Sequence, residues 1–151
     1  MSQDDRWTPE GLRLMNNLKE LQSLEVRIGF EQGKSFNSEN VDILDYAMFN
    51  ELGTSRAPSR PFMRKSVDEN SAEINTFIKG IQGELANGTP AETILKKIGV
   101  FQKGLIQDKI ESGSYTPNAP STIAKKGSSK PLIDKGDMRR AVNFVIKKKG
   151  S

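Results

Sequence analysis

The residues of this chain whose types and spacing come closest to a metal-binding site are three carboxylates, Asp42, Asp45 and Glu51. Carboxylate oxygens are the ligands that divalent cations such as Ca²⁺ and Mg²⁺ prefer. On a helix, Asp42 and Asp45 would share one face, whereas Glu51 would be displaced around the helix from them. Acids in the first turn of a helix also stabilise its dipole. We therefore interpret the aspartates as helix-stabilising residues, and we predict no metal site, no cofactor and no catalytic residue.

The residue types on which most enzymes depend are missing. The 151 residues include no cysteine and no histidine, which excludes disulfides, thiolate nucleophiles and imidazole general bases. Carboxylates or lysines could still carry a reaction, so a carboxylate-based hydrolase stays as a distant alternative. The glycines match neither a phosphate-binding loop nor a dinucleotide-binding fingerprint. We predict that the chain is not an enzyme.

Positive charge is concentrated in the last part of the chain. Residues 112–151 carry nine Lys or Arg and two acids, whereas residues 1–111 carry 14 basic and 17 acidic residues. A basic end suggests contact with an anionic surface, either nucleic acid or an acidic protein face, and a solvated tail is the alternative. The lysines assigned to this contact are Lys125, Lys126, Lys147, Lys148 and Lys149. Because few aromatic residues accompany them, any contact with DNA should be weak and non-specific.

The composition predicts a single domain, over residues 1–151, that either carries flexible excursions or buries part of its surface against partners. Only 34% of the residues are apolar and the mean hydropathy is −0.59, which is low for a chain that must be stable alone. No apolar run approaches the roughly 20 residues that span a bilayer. The first residues, MSQDDRWTPEG, lack the order of a signal peptide. We expect synthesis in a cytoplasm and no membrane contact.

The periodicity of the apolar residues predicts an α+β fold. Alternation from Leu24 to Phe30 indicates a strand with one solvated face, and residues 142–146 indicate another. We expect both in a small, mostly antiparallel sheet that packs against helices. Helical periodicity is found in four ranges: 9–22, 41–52, 66–86 and 89–110. The last two should form a long helical hairpin, since only a short turn separates them.

Capping residues and turn formers predict where the elements begin and end. Thr8 should cap the first helix, Asn40 the second, and Thr89 should open a capping box at the fourth. A short helix should follow Asp134, with Asp134 as its cap. Turn-forming residues predict extended, exposed loops near residues 31–40 and 112–131, and a basic tail follows at 147–149.

Several stretches, taken in order, carry a resemblance to a known family. They are Tyr46–Thr54 (YAMFNELGT), Pro58–Arg64 (PSRPFMR), Gly113–Pro117 (GSYTP) and Pro131–Arg139 (PLIDKGDMR). Their order and spacing, over residues 24–146, resemble the phage virion-morphogenesis proteins. That family includes the tail-completion and neck proteins similar to the lambda minor tail protein Z. Lys135 stands where such sequences often have Thr.

The resemblance implies an α+β structural subunit of a tailed bacteriophage or prophage, with no catalytic residue. Such subunits form a homo-oligomeric ring at the head–tail interface that completes or joins the tail. The implied partners are other copies of the chain and neighbouring neck, portal-adaptor, tail-tube or terminator proteins. The implied location is the virion, after assembly in the host cytoplasm. A tail terminator that caps tube growth and a small basic nucleic-acid-binding protein are the alternatives.

A proline-stiffened segment carries the main predicted contact between subunits. In it Phe62 lies between Arg60 and Arg64, and an aromatic residue beside arginines on a stiff segment is typical of an interface anchor. Burial of Phe62 beneath a loop is the alternative, and the sequence leaves both open. The full set of predicted interface residues is Arg60, Phe62, Arg64, Tyr115, Asp134 and Arg139.

Overall fold

The fold is seen in a computed structural model, which describes residues 7–31, 35–36, 41–56, 58–112 and 136–150. These ranges contain six helices and are mostly helical, with a small two-stranded antiparallel sheet packed against the helices and a second pairing of two short strands, so the α+β prediction is confirmed. No helix within them is long and apolar enough to cross a membrane. The elements are α1 (Pro9–Ser23), β1 (Leu24–Gly29), β2 (Ser35–Phe36), β3 (Val41–Asp42), α2 (Ile43–Leu52), α3 (Phe62–Asp68), α4 (Ser71–Ala86), α5 (Ala91–Ser112), α6 (Asp137–Ala141) and β4 (Asn143–Lys148).

Contacts within the chain divide it into two compact units. Unit 1 lies within residues 1–27, 71–101 and 144–151, and unit 2 within residues 28–70 and 102–143. Helix α5 contributes its first half to unit 1 and its second half to unit 2. The single-domain prediction stays a prediction.

In unit 1, helix α1 begins as predicted and also holds the start of α5. Thr8 Oγ1 accepts a hydrogen bond from Gly11 N at 3.0 Å, which caps α1. Asn17 Oδ1 accepts from Ala91 N and Asn17 Nδ2 donates to Thr89 O, each at 2.6 Å. A side chain from α1 therefore satisfies the start of α5, where the sequence predicted a local capping box at Thr89.

Helices α4 and α5 form the predicted helical hairpin. The rings of Phe77 and Phe101 stack, with centroids 4.0 Å apart and planes 4° from parallel. Lys97 Nζ donates to Glu84 Oε1 at 2.7 Å. Because positions later on α4 meet positions earlier on α5, the two helices are antiparallel.

The helix predicted over residues 66–86 is interrupted. Helix α3 ends at Asp68 and α4 begins at Ser71. Between them, Asn70 Nδ2 donates to Ser66 O at 2.9 Å. An Asn side chain that bonds its neighbouring backbone competes with helical hydrogen bonds, which explains the break.

The predicted sheet is formed by β1 and β4, the first and last strands. Beyond β4, Lys149 N donates to Ser23 O at 3.0 Å, which extends the pairing to the end of α1. Along β4, Phe144 and Ile146 are half-buried, whereas Val145 is exposed. Strand β4 continues to Lys148, so Lys147 and Lys148 of the predicted basic tail belong to the strand.

The predicted loop at residues 31–40 contains a short strand. Ser35 and Phe36 pair antiparallel with Asp42 and Val41. Helix α2 then begins at Ile43, later than predicted, and its N-cap is Asp42 rather than Asn40. Asp42 Oδ1 accepts a hydrogen bond from Leu44 N at 2.9 Å. The helix ends at Gly53, as predicted; its φ of 77° is a conformation that favours glycine.

The core of unit 2 surrounds Phe62, at the start of α3. The Phe62 ring is fully buried and meets Phe30 edge-on, with centroids 6.0 Å apart and planes at 84°. The other buried members of this core are Ile43, Ala47, Ile106, Ile110, Met138 and Val142. Met138 comes from α6, which begins at Asp137 after the left-handed Gly136 (φ 73°). This helix therefore starts later than the predicted cap at Asp134, which lies outside the described residues.

Candidate subunit interface

The first two stretches of the family resemblance meet where α2 ends and α3 begins. Glu51, near the end of α2, accepts a hydrogen bond from Met63 N at 2.9 Å through Oε2 and one from Arg64 N at 3.0 Å through Oε1. These N–H groups belong to the first turn of α3, where they have no acceptor within the helix. The Glu51 carboxylate therefore caps α3 with two charge-assisted hydrogen bonds.

Further hydrogen bonds fix the same connection, which we call the α2–α3 junction (residues 50–64). Arg60 N donates to Asn50 O at 2.5 Å, and Ser59 Oγ donates to Glu51 O at 2.7 Å. The buried Asn50 also donates from Nδ2 to Tyr46 O at 2.9 Å. Asn50 and Glu51, which the sequence did not single out as contact residues, thus hold the proline-containing segment in place.

The structure separates the three residues predicted as an anchor. Arg64 is exposed and Arg60 is half-buried, so both guanidinium groups stay near the surface of the α2–α3 junction. Phe62 has an exposed fraction of 0%, and its ring faces Phe30 in the core. A fully buried ring cannot reach a neighbouring subunit from the folded chain. The interface prediction for Phe62 is therefore corrected in favour of the core alternative.

The remaining predicted residues fall in two groups. Arg139 is exposed on α6, with Nε 3.2 Å from Glu111 Oε2, and its backbone oxygen accepts from Gln107 Nε2 at 3.1 Å. Lys147 and Lys148 are exposed on β4, and Lys149 is exposed directly after it. Those that lie outside the described residues are Tyr115, Lys125, Lys126 and Asp134.

An apolar surface that was not predicted lies on α2. Met48, Phe49 and Leu52 have exposed fractions of 47%, 52% and 72%. Residues three and four apart are neighbours on a helix, so these side chains form one patch, which we call the α2 surface. The apolar periodicity predicted a helix over residues 41–52 but did not predict that one of its sides would be exposed. The apolar residues that α2 does bury are Ile43 and Ala47, so only one side of it packs on the core.

A signal for this surface was present in the sequence. Helix α2 is apolar around more than half its circumference, in a chain whose overall apolar content is only 34%. A small core cannot cover every side of such a helix. The pattern was therefore compatible with a helix that has one side in the core and another at a partner.

A second apolar surface lies in unit 1, on the hairpin of α4 and α5. It is an open groove of about 400 Å³, lined by the stacked rings of Phe77 and Phe101 and by Val100, which is 61% exposed. The charged residues that line it are Lys96 and Lys97. We call this surface the α4–α5 groove.

An acid flanks the α2 surface, whereas the α4–α5 groove is lined by lysines that are ion-paired with glutamates. Helix α2 contains two acids, Asp45 and Glu51, and no Lys or Arg. The exposed Asp45 precedes Met48 by three residues and Phe49 by four, so it flanks the α2 surface. The lysines of the groove keep exposed side chains, although each contacts a glutamate of its own hairpin.

Two of the three acids considered as metal ligands have structural roles. Asp42 caps α2 and Glu51 caps α3. Within the residues that the structure describes, no group of three or more acidic side chains is close enough to hold a metal ion.

The acid Glu69 links two helices of unit 2. It accepts a hydrogen bond from Lys109 Nζ at 2.6 Å, and this bond lowers the pKa of Glu69 below its ordinary value of 4.5.

No protein-family model, curated protein or solved structure matches the chain. The function is therefore inferred from the α2–α3 junction and the two apolar surfaces.

Proposed function

We propose that the chain is a ring-forming structural subunit of a tailed bacteriophage or prophage, which completes or joins the tail at the head–tail interface. The observation that carries the proposal is the α2 surface, with three large apolar side chains exposed side by side on one helix. Contiguous apolar patches on a soluble protein mark sites of protein–protein contact. A structural subunit buries such a patch only when it assembles.

The α2–α3 junction supports the same proposal. The resembling stretches at residues 46–54 and 58–64 are joined by the Glu51 cap on α3 and by the backbone bond between Arg60 and Asn50. A stretch that is fixed in this way presents the α2 surface on a rigid element. Rigid presentation lowers the entropic cost of binding, which favours repeated association of identical subunits.

The proposal assigns the chain a structural role without catalysis. Its first partners are other copies of itself, followed by neighbouring neck, portal-adaptor, tail-tube or terminator proteins of the particle. The exposed lysines of β4 would face an acidic partner or the passing DNA. A tail terminator is the alternative within the same class, because it also forms a ring at the end of the tail.

Deletion of the gene in the source phage or prophage tests this proposal. Electron microscopy of the lysate should show filled heads and separate tails of normal length, and a plasmid-borne copy should restore joined particles. Tails of irregular length would favour the terminator alternative. Normal infectious particles made without the chain would overturn the proposal.

Variants of the α2 surface make the test specific. The combined change Met48→Ser, Phe49→Ser and Leu52→Ser should fail to restore joined particles, although the free chain should fold because these side chains are already exposed. The matched control changes two exposed apolar residues elsewhere, Leu18→Ser and Val67→Ser. This control should restore particle yield.

A further inference from the structure

We propose that the α2 surface of one copy docks in the α4–α5 groove of the next copy. This inference rests on the proposed function, because it takes the occupant of each surface to be another copy of the same chain. It goes beyond that function by assigning the two sides of the contact.

The symmetry of a ring requires two different surfaces on each subunit. A two-fold dimer uses one patch against itself, whereas a closed ring of more than two subunits repeats a head-to-tail contact between unlike patches. The described residues present two apolar surfaces of unlike shape. One is a helix face from which Met48, Phe49 and Leu52 project, and the other is the groove of about 400 Å³ on the α4–α5 hairpin.

Charge favours the head-to-tail pairing over the two self-pairings, although Glu92 and Glu84 offset part of the charge of the groove lysines. Two α2 surfaces in contact would bring Asp45 near its own copy, and two grooves in contact would bring Lys96 and Lys97 near theirs. Like charges across an interface disfavour association, whereas opposite charges fix its register. Only the contact of an α2 surface with a groove places the carboxylate of Asp45 opposite lysines.

The groove also has the chemistry that the α2 surface requires. Its lining includes the stacked rings of Phe77 and Phe101, and the α2 surface supplies Phe49. Aromatic rings gain from offset or edge contacts with one another beyond the burial of their area. The exposed Val100 lies on the same lining, so an apolar occupant would cover it as well.

Site-directed crosslinking tests the contact directly, because the natural chain contains no cysteine. Phe49→Cys and Val100→Cys are made as separate variants and treated with a short bismaleimide, alone and as a mixture. The mixture should give a crosslinked dimer, and each variant alone should stay uncrosslinked. The chain carrying both changes should give a ladder of oligomers. In the matched control, Val67→Cys replaces Phe49→Cys and should give no product with Val100→Cys.

A charge exchange provides a second measurement. Asp45→Lys in the Phe49→Cys chain should lower the yield of crosslinked dimer about two- to fivefold, the range that exposed ion pairs span. Introducing Lys96→Glu and Lys97→Glu into the Val100→Cys partner should recover that yield. A yield that the first change leaves unaltered, or that the second does not recover, would contradict the proposed orientation.

The same experiment on particles separates this inference from the proposed function. Both cysteine variants are supplied together to the deleted phage, and the joined particles are treated with the crosslinker. Joined particles that contain the chain but no link between positions 49 and 100 would overturn the docking contact and leave the structural role intact. Dimers from either single variant would show a two-fold contact, and a link within one chain would show that another segment covers the surface. Either result would overturn the inference.

Discussion

Phe62 and its arginine neighbours show how adjacent residues in one short motif serve different purposes. The ring of Phe62 is buried against Phe30, while the guanidinium groups of Arg60 and Arg64 stay at or near the surface. The backbone of the same segment is held by Glu51 and Asn50. The segment that resembles an interface anchor therefore places Phe62 in the core, and the Glu51 carboxylate caps the helix that begins there.

The burial of Phe62 predicts a large effect on the stability of the free chain. Phe62→Ala should lower the free energy of unfolding in urea by about 3–5 kcal/mol, because it removes a packed ring and leaves a cavity. Arg64→Ala is the control, and it should change that free energy by less than about 0.5 kcal/mol because its side chain is exposed. If both changes had equally small effects on the free energy of unfolding, the assignment of Phe62 to the core would be wrong.

Residue-scale prediction from the sequence succeeded where the determining partners are local. The Thr8 cap and the Gly53 end were predicted, since each depends on groups within one turn. Asn17 was missed because its partners, Thr89 and Ala91, lie more than 70 residues away along the chain. The burial of Phe62 could not be decided, because a segment with prolines has no periodicity that would assign its side chains to a face.

At the scale of elements, a glycine sets how closely strand β4 approaches helix α5. A Cβ atom at Gly99 would overlap the ring of Phe144. Glycine inside a helix normally weakens it, by about 1 kcal/mol relative to alanine. Here that cost is offset by the contact between α5 and the sheet, since any larger residue would push β4 away.

The close approach predicts opposite effects for two glycines of the same helix. Gly99→Ala should lower the free energy of unfolding by about 1–2 kcal/mol, because overpacking outweighs the gain in helix propensity. Gly104→Ala should raise it by about 0.5–1 kcal/mol, because nothing lies within 4 Å of the added Cβ. Thermal and urea unfolding of both variants measure the difference. Stabilisation by both changes would show that Phe144 moves aside without cost.

Element-scale prediction was best for the long periodic segments. The α4–α5 hairpin and the β1–β4 sheet were expected and are present, since each follows from a long or strongly alternating apolar pattern. The break between α3 and α4 was missed, because the side chain of Asn70 decides it and the apolar pattern does not. The exposed side of α2 was missed because periodicity does not say how much core is available.

At the scale of the whole molecule, the excess of positive charge lies in the last forty residues, and part of it is on β4. Lys147, Lys148 and Lys149 are all exposed there. In the proposed role, a ring that surrounds the path of the genome must not hold the DNA tightly. Exposed lysines suit this role, because they attract phosphates without reading bases.

Binding of duplex DNA across a salt series tests the role of these lysines. The dissociation constant should be about 10⁻⁴–10⁻⁶ M at physiological salt and should rise steeply as salt increases. Changing Lys147, Lys148 and Lys149 to Gln should weaken binding and reduce the slope of this salt dependence. Tight binding that persists at high salt and prefers one sequence would favour the nucleic-acid-binding alternative. If no binding is seen, the lysines should instead contact an acidic surface of a partner protein.

The pairing of β1 with β4 also determines when the fold is completed during synthesis. Strand β4 is translated after every other described element, and 113 residues separate Gly29 from Asn143. At bacterial elongation rates of about 5–20 residues per second, β1 waits about 6–23 s for its partner. The sheet therefore closes only after residues 30–142 have been translated. A chain truncated before Asn143 would lack β4, and with it the strand that packs against α5, so it could not complete the sheet.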